Sequence, residues 1–201
     1  EIREKESQLE SLKREPVHPL PPIQRVRLAR HALRPTASEL LDVMCHDLFE
    51  LHGDRGFRDD PAILTALGRI GAHRVLVVAH RKGTKDDRES QMICNWGMAN
   101  PEGYRKAMLK MRLAERFGLP IVCLVDTPGA FPGIEAEERG QAWAIAENIQ
   151  DMTGLRCPIV VAVIGDGGSG GALGIGVGDP GLMMECAHHP GITPEGCAPL
   201  P

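Results

Sequence analysis

The sequence predicts an α/β layered domain. Two nearly all-apolar runs, IVCLVD at 121–126 and PIVVAVIG at 158–165, have the length and composition of strands covered on both faces. Each follows a segment of helical period, and each discharges into a polar, glycine-bearing turn, DTPGAFPG at 126–133 and GDGGSGG at 165–171. Strand, helix, strand, helix, strand and glycine turn, in that order, is the pattern of helices packed on a sheet.

Along the chain, EIREKESQLESLKRE at 1–15 reads as a solvated helix with a thin apolar stripe of Ile2, Leu9 and Leu12. HPLPPIQRVRLARHALRPT at 18–36 is proline-rich and basic, a linker with a short helix. Its Arg25, Arg27, Arg30 and Arg34 are either a solvated face or an anion site for the phosphates of a nucleotide-like ligand. Residues 1–36 thus form an N-terminal helical and linker segment, and 37–201 the domain. A helix is expected over 37–50, ending near LHGDRGFRDD. AILTALGRIG and RVLVVAH read as paired strands turning at Gly71, and KGTKDDRES as a charged loop.

In PEGYRKAMLKMRLAERFG the period changes. Tyr104, Met108, Met111 and Ala114 share one side of a helix that stops at Gly118, before Pro120. EAEERGQAWAIAENIQDM is a second helix, with Trp143, Ala146 and Ile149 or Gln150 expected on its packed side, an i,i+4 pair between Glu135 and Arg139, and its end at Gly154.

The composition bounds the function. The 201 residues are 42% hydrophobic and 25% charged, with a formal net charge of −4. No apolar run approaches the ~18 residues of a membrane span, and the charged start is unlike a secretory signal. The mildly acidic balance argues only weakly against nucleic acid, since a local basic patch is compatible with it. The cysteines at 45, 94, 123, 157, 186 and 197 form no CxxC pair, and small buried thiols in a reducing compartment fit them better than zinc.

VIGDGGSGGALGIGVGD at 163–179 carries the chemical question, because glycine weakens helices and strands unless the backbone must come close to something. A phosphate loop requires GxxxxGK[ST], but Gly171 and Ala172 stand where Lys and Ser/Thr belong. GDGGSG matches GxGxxG in spacing but has no acid placed for a ribose. Ser169 lies in GGSGG, outside the GxSxG nucleophile pattern, and His188 and His189 read as a surface turn rather than metal ligands. The remaining chemistry is that of the backbone. Gly170 and Gly171 at a helix start can aim unpaired N–H groups at an oxygen that gains negative charge, whereas Gly174 and Gly176 read as packing.

LHGDRGFRDDPAI, HRKGTKDD, NWGMANPEGYRKAM, AERFGLPIVCLVDTPGAFPG, AEERGQAWAIAENI, VIGDGGSGGALGIGVGD and ITPEGCA together resemble the carboxyltransferase alpha subunits of bacterial and plastid-type acetyl-CoA carboxylase, over about residues 20–198. The resemblance implies the crotonase (enoyl-CoA hydratase-like) superfold of repeated ββα units, which accounts for the early strand pair. It implies carboxyl transfer from carboxybiotin, borne on a separate biotin carboxyl carrier protein, to acetyl-CoA, giving malonyl-CoA for fatty-acid synthesis. It also implies an assembly of two alpha subunits with two beta subunits, the zinc ribbon lying in beta, with no metal on this chain, no membrane span and a cytoplasmic or plastid-stromal location.

By motif, Gly170 and Gly171 are the carried-over catalytic pair for the biotin ureido oxygen. Gly129, Ala130, Gly133 and Gly168 complete the biotin-side pocket. The sequence departs from the family pattern at Asp166 (usually Glu), Trp96 (usually Phe), Glu135 (usually Gly) and through MMECAHHPGITPEG, where Pro190 would remove a donor from a strand. The family continues past CAPLP into a helical region, so the domain is expected to be truncated at its C-terminus. A non-catalytic partner subunit and another crotonase-fold acyl-CoA enzyme stand as alternatives.

Overall fold

A computed structural model describes residues 20–197; the expected helix over 1–15 lies outside them. Six strands form one sheet in sequence order. They are β1 (His46–Glu50), β2 (Ile63–Ile70), β3 (His73–His80), β4 (Ile121–Thr127), β5 (Ile159–Gly167) and β6 (Gly181–Met183). The first three are antiparallel neighbours, and β3 to β6 run parallel.

The strand pair β2–β3 turns at Gly71, whose φ of +57° suits glycine. Parallel neighbours need crossovers. Helix α4 (Pro101–Arg116) supplies the one from β3 to β4, and α6 (Gln141–Met152) the one from β4 to β5. Tyr104, Ala107, Met108, Met111 and Ala114 of α4 bury against Leu76, Val78, Ile121, Cys123 and Val161 on one face of the sheet. The alternate residues Val75, Val77, Ala79, Leu124 and Ile164 face a second core, covered by Ala37 and Leu41 of α2 (Ala37–Met44). Strands buried on both faces show as continuous apolar runs, the pattern seen in β4 and β5.

Several expectations are corrected. The helix begun at 37 ends at Met44, and 46–50 form edge strand β1. Every residue of β1 is exposed, so no period-2 alternation marks it. A capping box of Thr36 and Glu39 starts α2. Part of the charged loop folds as α3 (Arg88–Ile93), with the Asp87 carboxylate accepting the Ser90 N–H.

The segment at 134–152 is two helices, α5 (Ile134–Glu138) and α6, broken at Gly140 with φ +81°. The packed side of α6 is Gln141, Ala144, Asn148 and Met152, whereas Trp143 is 70% exposed and Ala146 and Gln150 face solvent. Arg139 pairs not with Glu135 but with buried Glu102, at 3.0 Å. Arg58 reaches the same carboxylate at 2.7 Å, so LHGDRGFRDD is stapled onto α4. Lys106 completes the staple, donating to Asp59 Oδ1 and the Asp60 carbonyl, both at 2.7 Å.

The arginine cluster on and after α1 (Pro22–Ala29) divides. Arg25 and Arg27 are exposed. Arg30 Nε meets Asp166 Oδ2 at 2.9 Å, and Arg34 donates to the Ile164 and Glu185 carbonyls, which docks α1 on the carboxyl end of β5.

Candidate functional site

The carboxyl ends of adjacent parallel strands β4 and β5 bring the two glycine turns together, as the topology requires. They touch backbone to backbone. A β-carbon on Gly168 would lie 2.1 Å from the Pro128 carbonyl oxygen, and the Gly168 N–H donates to the Thr127 carbonyl at 2.8 Å. A β-carbon on Gly171 would lie 2.4 Å from the nitrogen of Ala130 and from the carbonyl carbon of Gly129. No side chain fits at either position, so glycine is a packing requirement at both.

Gly170 differs. Its absent β-carbon would meet only the Ile145 side chain, at an ordinary 3.7 Å. Gly133 lies apart from the others, packed beneath the Phe131 ring, which a β-carbon there would strike at 2.3 Å. The structure thus groups Gly129, Ala130, Gly168, Gly170 and Gly171 and leaves Gly133 on the flank.

After Gly168 the chain enters α7 (Ser169–Leu173), whose opening N–H groups have no preceding turn to bond. The N–H groups of Gly170, Gly171 and Ala130 have no acceptor among the described residues. Ser169 sits at φ +45°, a strained conformation for a non-glycine residue, and its N–H donates to the Pro190 carbonyl at 3.0 Å. Pro190 therefore acts through its carbonyl, and its missing N–H leaves the turn intact. His188 continues the strand-like pairing as a parallel bridge to Asp166, and its Nε2 lies 2.7 Å from Asp166 Oδ1. The two histidines belong to the support of the turn: His189 Nδ1 contacts the Gly167 carbonyl at 2.5 Å.

The supports under the first turn were not evident from the sequence. Asn95, Trp96 and Gly97 all have positive φ, and this tight loop lays Gly97 against the Asp126 carbonyl. The Phe131 N–H donates to the Ala99 carbonyl at 3.0 Å, and Gln141 Nε2 donates to the Ala99 and Phe131 carbonyls at 2.8 and 2.9 Å. Asn148 Nδ2 likewise ties the Tyr104 and Gly174 carbonyls, both at 2.9 Å.

Beneath them His80 is fully buried. Its Nδ1 faces the Asp126 N–H at 3.4 Å, and the ring lies against the Gly171 backbone. Burial, with Lys82 nearby, holds its pKa down at about 3, so the ring is neutral. The largest cavities described, about 540 and 570 Å³, lie at the outer end of α4 and not at this turn.

A family model described as acetyl co-enzyme A carboxylase carboxyltransferase-like matches residues 1–200. The chain belongs to that family. The alpha subunit of acetyl-coenzyme A carboxylase carboxyl transferase from Methylococcus capsulatus is 55% identical over 174 residues, 87% of this chain and 54% of that protein. The Thermus thermophilus alpha subunit is 50% identical over 200 residues, 100% of this chain and 63% of that protein. The chain thus spans between half and two-thirds of these relatives' length.

Among solved structures, transcarboxylase 12S with hydrolysed methylmalonyl-coenzyme A bound superposes with a TM-score of 0.68 at 20% identity, covering 84% of this chain and 32% of that one. The beta subunit of geranyl-CoA carboxylase from P. aeruginosa gives 0.56 at 21% identity, covering 72% and 26%. These likenesses establish the crotonase-type carboxyltransferase fold, as the family motifs imply. No described helix is long and apolar enough to cross a membrane.

Proposed function

We propose that this chain is the alpha half of an acetyl-CoA carboxylase carboxyltransferase, moving a carboxyl group from carboxybiotin on a carrier protein to acetyl-CoA to give malonyl-CoA. A beta subunit supplies the hole for the CoA thioester, two copies of each subunit assemble, and the setting is the cytoplasm or a plastid stroma. The observation that carries the reading is the interlocked pair of glycine turns, which leaves three backbone N–H groups, those of Ala130, Gly170 and Gly171, free to donate.

The donor set fits the group it would hold. Bound carboxybiotin supplies the carboxyl group and a ureido oxygen that gains negative charge as that group leaves. The N–H groups of Gly170 and Gly171, with that of Ala130 beside them, donate to such an oxygen. Because the turns are locked against each other, the donors need no reorganisation as the charge grows. One such donor is worth about 3 kcal/mol in the transition state. Gly129 leaves open space where a side chain would stand, Gly168 lets the two turns close on each other, and the neutral His80 beneath adds no charge to compete for the oxygen.

The direct test is the reverse reaction, malonyl-CoA-dependent carboxylation of biocytin, run with this chain alone and with a family beta subunit. Turnover only in the mixture supports the proposal. A complex without turnover identifies a non-catalytic partner subunit.

A further inference from the structure

The strand that delivers the glycine turn is bulged just before it. Val125 pairs with Val163 and Thr127 with Gly167, so one residue of β4, Asp126, stands opposite three of β5. The Asp126 carboxylate fills that gap. Its Oδ1 accepts the Asp166 N–H at 2.9 Å and pairs with Lys82 Nζ at 2.5 Å. Gly165 makes room for it, since a β-carbon there would lie 2.4 Å from the same oxygen.

Asp126 is almost wholly buried, at 5% exposure, and the backbone it holds runs directly into the donors. The Gly167 N–H donates to the His188 carbonyl, the Gly168 N–H to Thr127 and the Ser169 N–H to Pro190, at 2.8, 2.8 and 3.0 Å. The Asp166 side chain then anchors the bulge outward, between Arg30 and His188.

We propose that Asp126, held by Lys82, is a positioning residue: its carboxylate closes the β4–β5 bulge and so sets the direction in which the Gly170 and Gly171 N–H groups point. The inference rests on the function proposed above. Asp126 acts through the backbone of residues 165–168 and touches no reacting atom. A misplacement of about 1 Å far from the chemistry can cost ~100-fold in rate.

The experiment compares Asp126→Ala, Asp126→Asn and Lys82→Met in the full 201-residue chain. Amide hydrogen exchange at Gly167, Gly168 and Ser169, and the amide chemical shifts of Gly170 and Gly171, are read without substrate or partner. Asp126→Ala is expected to speed exchange at those three amides by about tenfold or more and to move both glycine shifts, leaving Ala107 and Met111 of α4 unchanged. Asn, which keeps an acceptor oxygen, restores most of the protection, and Lys82→Met shifts the same amides less.

In the mixture with a beta subunit, Asp126→Ala lowers kcat by about 100-fold with KM for malonyl-CoA unchanged. Unchanged exchange at 167–169, or protection lost equally across α4, overturns the proposal, as does a rise in KM at constant kcat. An inactive wild-type mixture counts against the proposed function alone, because the exchange result still decides the role of Asp126.

Discussion

The β-carbon that Gly171 lacks would sit 2.4 Å from the backbone nitrogen of Ala130, whereas the one Gly170 lacks would rest 3.7 Å from the side chain of Ile145. The two neighbouring glycines therefore serve different ends, although the motif presents them as a pair. Gly171→Ala is expected to destabilise by about 2–3 kcal/mol, because backbone on the facing turn cannot step aside as a flexible side chain can. Gly170→Ala leaves stability within about 1 kcal/mol. Urea unfolding of the two variants checks the contrast.

Glu102 is fully buried with Arg58 and Arg139 on its carboxylate at 2.7 and 3.0 Å and Arg105 at 3.6 Å. Burial pushes its pKa up, but hydrogen bonds from Arg139 and Arg58 outweigh this and hold it below the ordinary value. Glu102→Ala is expected to cost about 1–3 kcal/mol, because it empties a buried site and removes the shared partner of three arginines that stay partly open to water. In a double-mutant cycle with Arg139→Met, the two losses sum to less than additivity by about 1 kcal/mol or more. Additive losses would show that the pair carries no coupling.

His80 and Asp59 contribute to the acid response in different windows. His80 has an ordinary pKa of 6.5 and a folded one of about 3. Below pH 6.5 the unfolded chain binds a proton there that the folded chain refuses, so stability falls on acidification. The loss is about 1.4 kcal/mol per pH unit, or roughly 2 kcal/mol at pH 5. Asp59 is pushed up by burial, but the hydrogen bond from Lys106 and the Gly53 N–H outweigh this, bringing it from 3.8 to about 2. Its contribution is complete above pH 3.8 and is lost as pH falls toward 2. Denaturant midpoints measured against pH should lose the slope between pH 6.5 and 4 in His80→Gln and part of the steeper fall below pH 4 in Asp59→Asn.

The sheet centre and α4 were readable because burial on both faces writes itself as continuous apolar runs and as the 104, 108, 111, 114 spacing. The edges were not. β1 exposes all five residues and pairs on one side only, so His46–Glu50 had no pattern to distinguish it from a helix tail. Apolar spacing puts Trp143 on the packed face of α6, but Gln141 and Asn148 turn inward to hold loop carbonyls while Trp143 turns out. Glycine spacing pointed to the candidate donors at 170 and 171. Ala130 beside them, and Asp126 beneath, depend on the β4–β5 register, which no local motif encodes.

In the proposed reaction, backbone N–H groups, and no side chain, stabilise the oxygen on which charge develops. Replacing the Gly171 amide by an ester, with glycolic acid in place of glycine, removes that N–H and adds no atom that could clash. The measurement is kcat for biocytin carboxylation by the ester-containing chain with a beta subunit, against the all-amide chain. A fall of about 100- to 1,000-fold at an unchanged KM for malonyl-CoA is predicted. An unchanged kcat would contradict the account and leave Gly171 as packing alone.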